Sequence, residues 1–412
     1  MAYTIQRKQQ FDFIGQSYAS SYPNLHKYPA TMLPQIGIEL FKELNIKQGK
    51  LLDPYCGSGS SFTVGLDRGF TEMDGFDINP LAVLISRAKF TKIDLERIKL
   101  LKQRLRNKIY DFVKIESDVR ALALPNIYNI DFWFKTPVSR NLTVIKHFID
   151  KIKEKDIKRM FLIPFSESVR ECSLTRNSEF KLFRMKTEDI LNFNPDVFGI
   201  YFYKLNKVIE TYEKYYYPYL DNTKIEISYS KFPQKQNYYD VVLTSPPYGD
   251  SRTTVAYGQF SILSNEWMGI KYARKVDSKL MGGYVTDKRY SEGLISDYIE
   301  KIAKVSLRRS WDVSAFYRDL DSSIKDVSKS IKKNGLSIYV VGNRTVKNTI
   351  LPTDQFIAEK FEQNGFKHLL TYERLLGNKA MPSQNSPSNI PGQRKSTMTK
   401  EYIVICEKTT EN

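Results

Sequence analysis

Cysteine is scarce. Cys56, Cys172 and Cys406 are the three in 412 residues, and they stand far apart, which leaves no disulfide framework and no clustered thiolate zinc site to expect. That usage suits a reducing cytoplasm, and no metal is expected. The N-terminal residues Met-Ala-Tyr-Thr-Ile-Gln-Arg-Lys are polar and lack the apolar core of a secretory leader. No apolar run approaches the roughly 20 residues that span a bilayer, and no internal repeat is evident. Acidic residues are also short in supply: 46 Asp and Glu face 63 Lys and Arg, a net charge of +17. An excess of that size suits a polyanionic partner such as nucleic acid, although basic proteins also exist that touch none.

What the chain does contain is chemically specific. The apolar run Asp240-Val241-Val242-Leu243 leads into Thr244-Ser245-Pro246-Pro247-Tyr248-Gly249-Asp250. Two prolines fix φ and remove two N–H donors, and the residue before each is pushed into an extended conformation. The result is a stiff strand end whose carbonyls point outward. A serine hydroxyl, an outward carbonyl and an aromatic face together suit a planar ring that bears an exocyclic amine.

A second signal lies upstream. Leu51-Leu52-Asp53-Pro54-Tyr55-Cys56-Gly57-Ser58-Gly59-Ser60 reads as a strand end, a glycine-rich turn and a helix start. Glycines allow close backbone approach to a ligand, and the helix N-terminus behind them presents free N–H groups. The next strand ends in Gly75-Phe76-Asp77-Ile78-Asn79-Pro80, placing Asp77 24 residues after Asp53. That is close to the spacing at which an acidic residue meets ribose hydroxyls. The turn lacks the complete Gly-x-Gly-x-x-Gly pattern, which favours an adenosyl ligand without a pyrophosphate over NAD.

Together these residues resemble the S-adenosyl-L-methionine-dependent amino-methyltransferases of DNA. The resemblance covers roughly 12–90 and 235–408. It implies that Ser245, Pro246, Pro247 and Tyr248 form the catalytic element, in the version similar to the cytosine-N4 branch. Asp53, Pro54, Cys56, Gly57, Ser58 and Gly59 resemble the methionine-side cofactor loop, and Asp77 and Ile78 the adenosine-side loop. His26 to Met32 resembles an N-terminal cofactor-contacting motif, which brings in Tyr28, Pro29 and Thr31, and Ser245 is expected beside the cofactor as well. An amino nitrogen conjugated to its ring is a poor nucleophile. Hydrogen bonds to Ser245 Oγ and the Pro246 carbonyl are expected to raise its electron density, while Tyr248 stacks on a base turned out of the duplex. The absence of a Pro-Cys dipeptide agrees with chemistry that needs no covalent intermediate.

Contacts to the nucleic acid are expected from Asp250, Arg252 and Tyr257 after the catalytic loop, and from Arg176 in the polar–aromatic stretch 176–184. Asp250 also reads as a proton acceptor or a loop anchor, and the anchor is favoured. Arg394 and Lys395 lie in the acid-free segment 377–400, a candidate for following a phosphate backbone. The segment 91–235 holds 28 basic and 19 acidic residues, densest at Lys151–Arg159.

Alternating strand and helix patterns imply an α/β fold. The expected form is a doubly wound, mainly parallel, seven-stranded-type Rossmann-like sheet with a large, mainly helical insertion. The catalytic domain is expected in two parts, 1–90 and 236–412, flanking an inserted region at 91–235 that could recognise the target. Strands are expected at Gly49–Asp53, Met73–Asp77, Asp240–Thr244, Leu336–Val341 and Glu401–Cys406, with a long helix over Val313–Asn334. Double-stranded DNA is the expected substrate and a cognate restriction endonuclease the expected companion. Adenine-N6 methylation of DNA, guanine-N2 methylation of RNA and a non-catalytic nucleic-acid-binding subunit are the alternatives.

Overall fold

The computed structural model describes residues 3–15, 22–29, 31–177, 179–230, 235–250, 256–376, 384–385, 395–396 and 398–410. Eight strands form one sheet. In chain order they are β1 Ile5–Arg7, β2 Lys50–Asp53, β3 Glu72–Asp77, β4 Lys224–Tyr229, β5 Tyr239–Thr244, β6 Ile331–Val341, β7 Phe366–Leu375 and β8 Lys400–Lys408. Their spatial order is β1-β7-β8-β6-β5-β2-β3-β4. Neighbours run parallel, except that β8 is antiparallel to β6 and β7. The seven strands from β7 to β4 match the expected sheet, and the three-residue β1 adds an outer edge.

Successive strand residues face opposite sides. Leu51, Val241, Leu243 and Ile403 enter one apolar cluster, and Leu52, Val242, Tyr339 and Val404 enter another. A sheet apolar on both faces must be covered on both. Helices of eight residues or more are α1 Pro34–Glu43, α2 Ser60–Asp67, α3 Pro80–Phe90, α4 Leu95–Val113, α5 Thr136–Asp150, α6 Lys155–Cys172, α7 Val197–Tyr215, α8 Tyr257–Trp267, α9 Ile295–Val305, α10 Leu307–Ser330 and α11 Thr353–Gln363. Side chains of α1 to α8 join the first cluster and those of α9 to α11 the second.

The segment 91–235 is mainly helical from Leu95 to Tyr215 and then supplies β4. Its apolar side chains enter the same cluster as one sheet face, so these helices are a layer on the sheet. The long helix expected to reach Asn334 ends at Ser330, where β6 begins. Asn334 takes φ 62° beside a register shift opposite Tyr239–Val241, so these residues form a bulged strand.

The chain leaves β2 for β3 and β4 on one side, and β5 passes to β6 on the other. β2 and β5 therefore meet where the strand order reverses, the place where such a sheet opens a crevice beyond its carboxyl ends. Leu51 pairs with Val241 and Leu52 with Val242, which brings Asp53 and Thr244 side by side.

Candidate active site

Asp53 gathers the two central strand ends. Its Oδ1 accepts from Thr244 Oγ1 at 2.6 Å and from the Tyr55 N–H at 3.0 Å, and its Oδ2 accepts from Ser61 Oγ. Burial pushes the carboxyl up to about 6, against the lowering effect of these bonds. The following turn needs its glycines. Gly59 has φ 83°, and a Cβ there would stand 2.3 Å from the Phe90 ring. The Gly57 N–H donates to Asp77 Oδ2 at 2.9 Å and the Asn79 N–H to Asp77 Oδ1 at 2.7 Å. Burial lifts Asp77 to about 6 as well. Asn79 caps α3 by accepting from the Leu81 N–H at 3.1 Å, while its Nδ2 donates to Tyr28 Oη at 3.0 Å. That bond ties the N-terminal segment to both loops, and Tyr28 stacks on Tyr257 with centroids 6.0 Å apart.

These pieces enclose a cavity of about 340 Å³, within the range of small-molecule sites. Tyr28, Pro29 and Thr31 form one wall; Asp53, Pro54, Cys56, Gly57 and Ser58 another; Asp77, Ile78, Ser245 and Tyr257 complete it. Gly59 stands behind the lining as the residue that opens α2. Burial pushes the Cys56 thiol well up. Sequence patterns did not reveal Lys279, Leu280, Met281, Asp319, Ser322 or Ser323, which close the opposite side. They carry no motif and reach the cavity through α10 and through residues 279–281, which precede α9. Tyr55 bonds Ser323 through their hydroxyls, and Asp319 Oδ2 accepts from the Gly282 N–H at 2.9 Å.

The catalytic loop divides. Ser245 and Pro247 line the cavity, whereas Pro246 and Tyr248 do not. The Tyr248 ring packs beside Gly342, whose added Cβ would come within 2.9 Å of it. Its hydroxyl donates to Glu401 Oε1 at 3.0 Å. This bond anchors the hydroxyl end of Tyr248, whose ring stays partly exposed. Asp250 is fully buried and ion-paired with Arg344 at 2.8 Å and Arg309 at 3.3 Å. It is a loop anchor that faces two guanidiniums, and the expectation of a nucleic-acid contact there is corrected. Arg176 is exposed beside Glu179, 3.6 Å away. Arg252 and Arg394 lie outside the described residues, as does the side chain of Lys395. In the basic run 151–159, Lys158 pairs with Asp150 and Arg159 with Asp156, while Glu154 pairs with Arg97. Among the described residues no cluster of His, Cys, Asp or Glu is placed to hold a metal ion, and no helix is long and apolar enough to cross a membrane.

The type II methyltransferase M.MvaI of Kocuria varians is 38% identical over 409 residues, which cover 92% of this chain and 89% of that protein. The chain belongs to the type II methyltransferases. M.MjaII of Methanocaldococcus jannaschii, also a type II methyltransferase, is 27% identical over 106 residues, 25% of this chain and 20% of its own length. The rRNA methyltransferase aviRa from Streptomyces viridochromogenes superposes with a TM-score of 0.30 at 11% identity, covering 98% of this chain and 94% of that one; a score that low carries no argument. No family model matches.

The methyl donor of this type II methyltransferase is S-adenosyl-L-methionine, and the residues present fit it. Tyr28, Pro29, Met32 and Ile78 offer apolar walls for a purine and a thioether chain. Asp53 and Asp77 offer carboxylate lone pairs for hydroxyl or ammonium groups. Ser58 Oγ is buried in the lining and has no hydrogen-bond partner among the described residues, a need that an incoming polar ligand atom would satisfy.

Proposed function

We propose that this chain methylates the N4 amino group of a cytosine turned out of duplex DNA, at a specific sequence, as the modification partner of a restriction endonuclease. The observation that carries the reading is the place of Ser245. It leaves the carboxyl end of β5 at the sheet reversal and lines the cavity that the Asp53 and Asp77 loops also line. An amine held there lies next to the site that fits S-adenosyl-L-methionine, which supplies an electrophilic methyl group on a sulfonium. Ser245 Oγ and the Pro246 carbonyl accept from the amine, and the remaining contribution is alignment of donor and acceptor. Serine at the first position of the loop, where adenine enzymes carry Asp or Asn, supports cytosine.

A basic, aromatic face next to the cavity supports DNA as the partner. The segment 174–185 folds back on itself through the Thr175 and Arg184 backbones and lies on α8, where the Leu182 N–H donates to Gln259 at 3.4 Å and the Phe180 and Phe260 rings sit 6.3 Å apart. α8 begins at Tyr257, in the cavity wall. Phe132 (43% exposed), Phe180 (50%) and Phe183 (44%) face solvent, with Arg184 lying 4.3 Å over Phe132. Arg274 caps Tyr128 in the same way at 4.6 Å. Cationic side chains serve phosphates, and rings serve unstacked bases. The test is methyl transfer from labelled S-adenosyl-L-methionine to duplex DNA and to RNA, followed by nucleoside analysis. N4-methylcytosine in DNA is the expected product. N6-methyladenine, or label confined to RNA, overturns the reading.

A further inference from the structure

A chain of four side chains runs from the protein interior to the cavity. Arg374 and Glu401, on adjacent strands β7 and β8, form an ion pair in which each is 2% exposed. Arg374 is held further by the Phe11 carbonyl, which accepts from its Nε at 2.6 Å. Glu401 Oε1 lies 3.0 Å from Tyr248 Oη, and Tyr248 Oη lies 3.3 Å from Ser245 Oγ. Only Ser245 of the four lines the cavity.

The protons in this chain have one consistent order. Arginine has donors alone and stays charged, and a buried cation requires its anion. Glu401 is therefore a carboxylate and can only accept. Tyr248 must give its proton to Glu401, which leaves the phenol oxygen as the acceptor for the Ser245 hydroxyl. With its hydrogen turned inward, Ser245 Oγ presents lone pairs to the cavity. An amine about to be methylated needs an acceptor at that point and gains nothing from a donor. We propose that Glu401 is a positioning residue that acts through Tyr248 to hold Ser245 as a hydrogen-bond acceptor for the target amine. The Ser245–Tyr248 separation is long for a hydroxyl pair, as such contacts commonly are before substrate closes the site. The inference rests on the proposed amine methylation and is independent of which base bears the amine.

Glu401→Gln tests it with almost no change of shape. Arg374 offers only donors, so the new amide turns its carbonyl to Arg374 and its NH2 to Tyr248. The order then reverses: the amide donates to Tyr248, Tyr248 donates to Ser245, and the Ser245 proton points into the cavity at the amine. We expect kcat to fall about 100-fold, in the range of a lost proton-handling group, with cofactor affinity within about twofold. The diagnostic result is suppression. Tyr248→Phe breaks the relay and frees the Ser245 hydroxyl to rotate, so Tyr248→Phe/Glu401→Gln should turn over about tenfold faster than Glu401→Gln alone. A purely structural role for Glu401 predicts that the second substitution adds to the loss. A double variant no faster than Glu401→Gln, or a Glu401→Gln enzyme with wild-type kcat, overturns the proposal. A wild-type protein that methylates no nucleic acid refutes the proposed function instead.

Discussion

Lowering the pH from 7.5 to 5 should weaken cofactor binding, while the same two carboxyls contribute stability to the empty protein. Both effects come from Asp53 and Asp77, which line the cavity and which burial lifts to about 6. For affinity, the ionised forms are the acceptors for hydroxyl and ammonium groups. With a pKa near 6, roughly one molecule in ten is ionised at pH 5, so each carboxylate that binds the ligand costs about tenfold in Kd, about 1.4 kcal/mol. The two together could approach a hundredfold. For stability the sign is opposite. A carboxyl raised above its unfolded value holds protons in the native state that the unfolded chain has released. The contribution of these two groups to unfolding free energy therefore rises as pH falls from about 6 to about 4, by an amount on the order of 3 kcal/mol per group at full development. The buried His26, which burial holds down to about 4, contributes in the opposite sense, so the difference between wild type and Asp77→Asn isolates the carboxyl part. Isothermal titration with S-adenosyl-L-methionine and urea unfolding, each at half-unit steps of pH, read the two trends. Asp77→Asn should remove part of both pH dependences. A Kd that stays flat between pH 7.5 and 5 refutes the assignment of these carboxylates to the ligand.

Three further outcomes follow from packing and charge. Gly59→Ala forces a Cβ into the Phe90 ring at φ 83°; left-handed strain and overpacking together should lower stability by about 2–4 kcal/mol, read by urea unfolding. Asp250→Ala removes the buried anion that Arg344 and Arg309 share, Arg309 keeping Asp312, and a stability loss of up to about 3–5 kcal/mol is expected from the same measurement. Arg184→Ala should weaken DNA binding with cofactor affinity unchanged and reduce the slope of log Kd against log salt by about one if Arg184 meets a phosphate; fluorescence anisotropy at several salt concentrations checks this.

Much of the fold was written locally. Leu51-Leu52-Asp53 and Val241-Val242-Leu243 are short apolar runs that end at turn residues, the pattern of a strand covered on both faces. The two loops following them carry unusual residues because they must accept unusual geometry, as at Gly59. β4 was harder to read, since Lys224-Ile225-Glu226-Ile227-Ser228-Tyr229 is a half-exposed edge whose charges resemble a loop. The bulge at Asn334 was hidden because helical α10 runs into β6 without a break. In the site, the side that the sequence left unread comes from distant elements. Glu401 reaches Tyr248 across 153 residues, and Tyr55 meets Ser323 across 268. Neither partner stands in a recurring motif, so their roles appear only when the sheet brings β8 and α10 to the crevice. Asp250 shows a role whose kind was legible and whose partners were not: the loop anchor favoured from its position is held by two arginines from elsewhere in the fold.

The role proposed for Ser245 is to receive the exocyclic amine of a cytosine in DNA. Its most direct test is sequencing of DNA from a host that expresses the protein, with detection that separates N4-methylcytosine from N6-methyladenine. N4-methylcytosine at one recurring sequence, lost with Ser245→Ala, is the predicted result. Methyladenine alone, or unmodified DNA from cells that contain the folded wild-type protein, contradicts it.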